Sequence, residues 1–326
     1  MKKSGDINYG ITFLKVICSV LVVMCHYEMS GNKFQYIKSL AVPCFMLLSF
    51  FLTGEKIFWG NQNYCKIRIK RLIVPYFFWG GVIGSALFII GKVKLQDVFW
   101  QLILGSAEAV NPPLWYLADL IFLTLLYGIL LPQIKNKKCK TIFVIITCVI
   151  AVFAQYSGIN YLCFSDLEYE QKYTLGRVME MVPYAGIGIL LAIYLHGNFW
   201  EKWYVQLVLW LFIIISVCVT KNISLGFFYQ GAQRIESTTL IIMAFIVLPV
   251  HYLPSEILVA IESLGKCALG VYCIHWNVGK ILLSVNSIVG FEVHGKMLAL
   301  LIYIISFLAV YLLSKIPSNF INKLIS

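Results

Sequence analysis

The sequence predicts an all-α integral membrane protein, a bundle of about ten transmembrane helices with both termini in the cytoplasm. Three observations carry this expectation. The 326 residues are 60% apolar and only 13% charged, whereas a soluble domain carries about 25% charged residues. The apolar residues form continuous runs long enough to cross ~30 Å of hydrocarbon, and they do not alternate as barrel strands do. Lysine and arginine gather in short segments between alternate runs, as positive-inside topology requires. This composition leaves no room for a sizeable soluble domain. No linker or repeat divides the chain, so a single domain over residues 1–326 is expected.

Spans are expected near 9–27, 37–55, 72–91, 114–132, 141–157, 181–195, 203–220, 237–253, 267–284 and 297–314, the sixth being the shortest. Lys2 and Lys3 precede the first. Lys56, Lys66, Arg68, Lys70 and Arg71 are expected in the loop after the second, and Lys135, Lys137, Lys138 and Lys140 in the loop after the fourth. These three segments share one side of the membrane if the helices alternate, which places both termini inside. Asp166, Glu168 and Glu170 fall in the longest outer loop, 158–180. The first apolar run is long enough to span and no small-residue cleavage site follows, so a cleavable signal is not expected. The expected location is the plasma or inner membrane, crossed many times. The net charge of +11 reads as topology, so the expected partner is the bilayer and not nucleic acid. None of the ten cysteines forms a CxxC pair, and most sit in apolar runs, so no metal site is expected.

The first span, YGITFLKVICSVLVVMCHY, holds two ionisable residues, Lys15 and His26, eleven apart. At ~100° per residue this spacing puts both on one stripe of a helix, roughly 16 Å apart along the axis. A cation in the inner half and an imidazole near the outer end mark a path through the membrane, because ionisable residues there are costly. An imidazole is suited to removing a proton from a hydroxyl. The plainer alternatives are a snorkelling lysine and an interfacial histidine.

Next comes KIRIKRLIVPYFFWG, where Arg68 and Arg71 lie three apart at the start of the third span and are expected to face one way. A guanidinium fork fits phosphate oxygens, while a simple topological anchor is the competing reading. Pro75 removes one backbone hydrogen bond from that helix. NPPLWYLADL opens the fourth span: its prolines suit a helix start, and Trp115 and Tyr116 suit an interfacial belt. Asp119, one turn deeper, is placed to orient a cation or bind substrate hydroxyls. His275, in GVYCIHWNV near the middle of the ninth span, is expected to face the protein interior, as a catalytic or a merely hydrogen-bonded group. Trp115, Tyr116, Asp119 and His275 are therefore candidate substrate-channel residues. No nucleophile elbow, Walker loop, dinucleotide fingerprint or zinc-protease motif is present, and His26 is not followed by the acid of an HxxxxD motif.

Five stretches in chain order make the sequence resemble the membrane acyltransferase 3 family. KVICSVLVVMCH stands where that family has an arginine eleven residues before a histidine. AVPCFMLLSFFL resembles its second helix, and KIRIKRLIVPYFFW its basic segment with an Arg-x-x-Arg pair. PLWYLADLIFLTLLYGILLP and LGVYCIHWNV resemble its fourth helix and a late helix. Two departures stand out: the first-helix arginine is Lys15, which lacks the bidentate fork, and the usual Ser-Gly of the second helix reads Ser49-Phe50.

The resemblance implies an O-acyltransferase, with acetyl the commonest acyl group. Acyl-CoA, acetyl-CoA foremost, would serve as co-substrate and no cofactor would be needed. The acceptor would be a hydroxyl of an extracytoplasmic or cell-surface carbohydrate. It implies His26 as general base or acyl carrier, with Lys15, Arg68 and Arg71 holding the donor phosphates. Two rivals are an exporter or flippase of a polysaccharide or lipid-linked intermediate, and a membrane O-acyltransferase of another fold centred on His275.

Overall fold

In lipid every backbone N–H and C=O needs a partner within the protein, and long apolar runs meet that need as α-helices. The computed structural model describes residues 8–27, 35–105, 110–156, 169–195, 202–222, 227–246, 248, 250–289, 293–318, 320–321 and 324, and its elements are helices throughout. In chain order they are α1 (Tyr9–Tyr27), α2 (Gln35–Ser39), α3 (Ala41–Phe58), α4 (Gln62–Ile89), α5 (Leu95–Leu104), α6 (Trp115–Gln133), α7 (Lys137–Tyr156), α8 (Tyr169–Tyr194), α9 (Trp203–Asn222), α10 (Phe227–Ile246), α11 (Ser255–Val289) and α12 (Gly295–Ser314). A 3₁₀ turn, Pro112–Leu114, leads into α6. The chain is an all-α membrane protein: eight of the described helical segments are long and apolar enough to cross a bilayer. The other two expected spans correspond to α9, whose apolar part is the shorter Tyr204–Ile215, and α10, whose first half is polar.

Several expected boundaries are corrected. The basic segments are helical rather than loops. Lys56 ends α3, Lys66, Arg68, Lys70 and Arg71 lie within α4, and Lys137, Lys138 and Lys140 begin α7. Asn61 explains the early start of α4, because its side chain caps the helix by accepting from the Tyr64 N–H at 3.0 Å. Gly60, at φ 78°, makes the turn before it in the left-handed region and packs on Pro132. Lys140 is buried and donates to the Phe58 carbonyl at 2.7 Å, satisfying an orphan carbonyl at the end of α3. Helix α4 continues through Pro75.

The expected sixth span of 181–195 is the inner part of the 26-residue α8, so the outer loop does not reach 180. Charged residues in its first half hid the helix from a hydropathy reading. For the same reason the expected 267–284 is the centre of the 35-residue α11, whose early turns carry the Glu262–Lys266 ion pair. Lys2, Lys3, Asp166 and Glu168 lie outside the described residues.

The chain divides into two compact units. One draws on Met1–Phe45, His196–Leu225 and Glu236–Ser326. Here α1 packs against α11 and α12, which also pack on each other. The face of α1 that it buries, including Ile11, Leu14, Cys18, Val22 and Val23, recurs every three or four residues. The other unit draws on Met46–Leu195 and Gly226–Ile235. In it α4 packs on α5 and α6, and α8 packs on α5, α6 and α7. Gly188 of α8 lies directly on the backbone of α3 around Leu47 and Phe51.

Candidate functional site

In the first unit, α1 is one uninterrupted helix, so Lys15 and His26 keep their eleven-residue register. Lys15 is half-buried and has no hydrogen bond or ion pair among the described residues. Ser19, one turn on, donates to the Val16 carbonyl at 2.7 Å and meets the Tyr303 hydroxyl at 3.2 Å. His26 is exposed near the end of the helix. Its ring centre lies 5.4 Å from that of His275 and 5.1 Å from that of Trp276, which it meets edge-on.

His275 is fully buried. Its Nδ1 lies 2.8 Å from the Tyr272 carbonyl and 3.2 Å from the Val271 carbonyl. A carbonyl oxygen only accepts, so Nδ1 carries the proton. His275 Nε2 is buried with no hydrogen-bond partner among the described residues, as are Trp276 Nε1 and Asn277 Nδ2. Leaving such an atom unmet costs about 1–3 kcal/mol. The end of α1 is pinned beside this turn: the Tyr27 hydroxyl donates to the Trp276 carbonyl at 2.9 Å, and Gly279 leaves room for the Tyr27 ring.

In the second unit Arg68 is buried and its fork is spread over α3 and α6. Nε donates to Thr124 Oγ1 at 2.9 Å, one terminal nitrogen to the Ser49 carbonyl at 3.1 Å, and the other to Ser49 Oγ at 3.0 Å. Thr53 Oγ1 accepts a further bond. The Phe50 ring lies 4.8 Å from the guanidinium. All these partners are neutral, and Arg68 has no carboxylate partner among the described residues. Arg71 corrects the expected pairing. It is exposed: three residues fall ~60° short of a full turn, and Arg71 lies beyond the edge of the buried face that holds Arg68.

Asp119 and Tyr116 are buried, so for Tyr116 the interfacial-belt alternative is corrected. Both carboxylate oxygens of Asp119 are buried without a hydrogen-bond partner among the described residues. Arg177 and Glu180, from α8, lie within electrostatic reach of it. Arg177 is buried, donates to the Gly105 carbonyl at 3.0 Å, and stands 4.9 Å from the Trp115 ring centre. Glu180 pairs with Arg234 at 3.5 Å.

The sequence marks Ser49 only as part of the Ser49-Phe50 departure, and it does not single out Thr53 and Thr124, nor Arg177, Glu180 and Arg234. Two signals were present. Ser49 and Thr53 are four apart on one helix face, and Arg177 and Glu180 are charges three apart inside what proves to be a helix.

The family model for the acyltransferase domain, of type 3, matches residues 8–316. The chain belongs to the acyltransferase 3 family. No curated protein and no solved structure matches it. As an acyltransferase 3 protein it is a multi-pass membrane acyltransferase, which favours the enzyme over the exporter and over an acyltransferase of another fold. An acyltransferase 3 chain has to receive an acyl donor and an acceptor, and Asp119 is a buried acid whose oxygens have no hydrogen-bond partner among the described residues. Asp119→Asn is accordingly expected to raise stability by about 1–2 kcal/mol, since a neutral amide is cheaper to bury than an unmet carboxylate, and to lower transfer. Thermal unfolding in detergent checks the first part; a lowered midpoint would show that attraction to Arg177 outweighs the burial cost.

Proposed function

We propose that this protein is an O-acyltransferase that moves an acyl group, acetyl foremost, from cytoplasmic acyl-CoA to a hydroxyl of an extracytoplasmic or cell-surface glycan. It works in the plasma or inner membrane with both termini in the cytoplasm. The observation that carries the reading is His26: in a chain of this family, an imidazole at the end of the first span is exposed while its neighbour His275 is buried.

His26 acts as general base. It takes the proton of the acceptor hydroxyl, the oxygen attacks the thioester carbonyl carbon, and the carbon–sulfur bond breaks. The departing thiolate then takes the proton from His26, which returns to its starting state. An acyl-histidine route would use the same residue as nucleophile.

Arg68 supports the donor side. A buried guanidinium with only neutral acceptors among the described residues leaves a positive charge uncompensated, and a phosphate of the donor would supply the anion. Arg71, which is exposed, and Lys15, which has no partner among the described residues, are further cations suited to donor phosphates. Trp115, Tyr116 and Asp119 serve the carbohydrate acceptor, with Asp119 accepting from its hydroxyls.

Mass spectrometry of surface polysaccharides tests this in a deletion strain complemented with wild type or His26→Ala. An acyl increment, ~42 Da for acetyl, should vanish in the deletion, return with wild type, and stay absent with His26→Ala at equal protein level. Full acylation by His26→Ala would remove His26 from the mechanism. Normal acylation in the deletion strain, with glycan that fails to reach the surface, would reinstate the exporter.

A further inference from the structure

We propose that His275 is a positioning residue: its Nε2 accepts the ring N–H of His26, and so fixes which His26 nitrogen is left to act as base. The inference rests on the reading of His26 as the base.

Hydrogen-bond direction supplies the argument. The Tyr272 and Val271 carbonyls hold the proton of His275 on Nδ1. In the neutral ring, Nε2 then presents a lone pair, and this atom is buried without a partner among the described residues. The neighbouring imidazole is His26, with ring centres 5.4 Å apart and planes tilted by 33°. A ring nitrogen stands ~1.1 Å from its ring centre, so two nitrogens turned towards each other across this gap come within about 3 Å, a hydrogen-bond length. His26 is exposed, whereas His275 is buried and held by its two carbonyls.

Once that bond forms, the His26 nitrogen facing His275 must carry hydrogen. The opposite nitrogen must then carry the lone pair. When this lone pair takes the acceptor's proton, His26 becomes an imidazolium whose second N–H is already held by His275. The proton then passes from His26 to the departing thiolate, and His275 gains and loses none. Its part is orientation and support of a transient charge, as in an orienting group behind a catalytic histidine.

The test uses the full-length protein in phospholipid, radiolabelled acetyl-CoA, and the host's own surface polysaccharide. Asn at 275 keeps a donor near Nδ1 for the Tyr272 carbonyl but removes the acceptor. Gln places an amide oxygen near Nε2. His275→Asn is expected to lower kcat by about 100-fold with the KM for acetyl-CoA unchanged, and His275→Gln to stay within about 10-fold of wild type. Wild-type kcat in His275→Asn, or an equal fall in both variants, overturns the proposal. His26→Ala separates the two ideas: if it transfers normally the base assignment fails, whereas an inactive His26→Ala beside an active His275→Asn sinks only the positioning role. Nitrogen-15 NMR of the wild-type protein, with five histidines to assign, needs no variant to fold. His26 should show a single neutral tautomer coupled through a hydrogen bond to His275, and a mixture of tautomers overturns the proposal.

Discussion

Arg68→Ala is expected to cost the fold about 3–5 kcal/mol, a large part of the 5–15 kcal/mol that holds a typical domain together. The side chain donates to Thr124, to the Ser49 carbonyl and hydroxyl, and to Thr53. Alanine leaves these acceptors facing a cavity that also undercuts the Phe50 ring. Hydrogen bonds from a charged donor are worth about 1.5–3 kcal/mol each, and part of the loss is recovered because Thr53 also donates to the Ser49 carbonyl at 2.7 Å. The yield of monodisperse protein and its thermal midpoint read the effect. Arg68→Lys is the cleaner probe of donor binding. It keeps the charge, loses the planar fork, and is expected to fold while raising the acyl-CoA KM by about 10-fold. An Arg68→Ala protein as stable as wild type would show the cradle to be dispensable, and an unchanged KM in Arg68→Lys would detach this residue from the donor.

Gly188→Ala is expected to destabilise the fold by forcing two helix backbones apart. A Cβ built on Gly188 falls 2.5 Å from the Leu47 carbonyl oxygen, 2.9 Å from Phe50 Cβ and 3.0 Å from the Phe51 nitrogen. Two of these atoms are backbone and cannot step aside, so α3 and α8 must separate along their contact. Overpacking of this kind costs about 1–3 kcal/mol, and rigid backbone neighbours put the expectation at the upper end. Gly81→Ala is the control. Nothing lies within 4 Å of its added methyl, and alanine is the better helix former, so the midpoint should hold or rise. Equal midpoints for wild type and Gly188→Ala would show that this helix pair yields more easily than its spacing implies.

The glycine also shows where sequence reading reaches its end. Phenylalanine at 50 departs from the small residue expected there, and on sequence alone it narrows the space beside α3. In the structure Phe50 lies under Arg68 and against Tyr127, while the close approach is made by Gly188 from the opposite helix. Which partner supplies the small residue is a property of a pair of helices, and one sequence does not pair them. The expected limits of α1 match the observed ones because polar residues, Asn8 before it and Glu28 after it, bound its apolar run. Helices α8 and α11 are longer than hydropathy suggests because their charges find partners, Glu180 with Arg234 and Glu262 with Lys266, while hydropathy counts such residues as though they faced lipid. The depth of Asp119 followed from counting residues into α6. The inward turn of Arg68 and outward turn of Arg71 did not follow, since spacing gives the angle between two side chains but not which one faces the interior. Nor could the sequence give the proton position on His275, because every helix offers carbonyls three and four residues back and only the side-chain rotamer decides whether a ring folds onto them.

The packing of α1 on α11 and α12 has a consequence for how the protein is made. The first helix leaves the ribosome roughly 230 residues before α11 begins, which at ~5–20 residues per second is about 10–50 s of synthesis. Through that interval the nascent first span lies in the membrane with Lys15, and with Ser19 not yet beside Tyr303. Biogenesis therefore depends on a helix that must be held in waiting, by the insertion machinery or by lipid headgroups around its lysine, until the end of the chain arrives. Loss of the last two helices would strand the first, and would turn its polar stripe into a mark for membrane quality control.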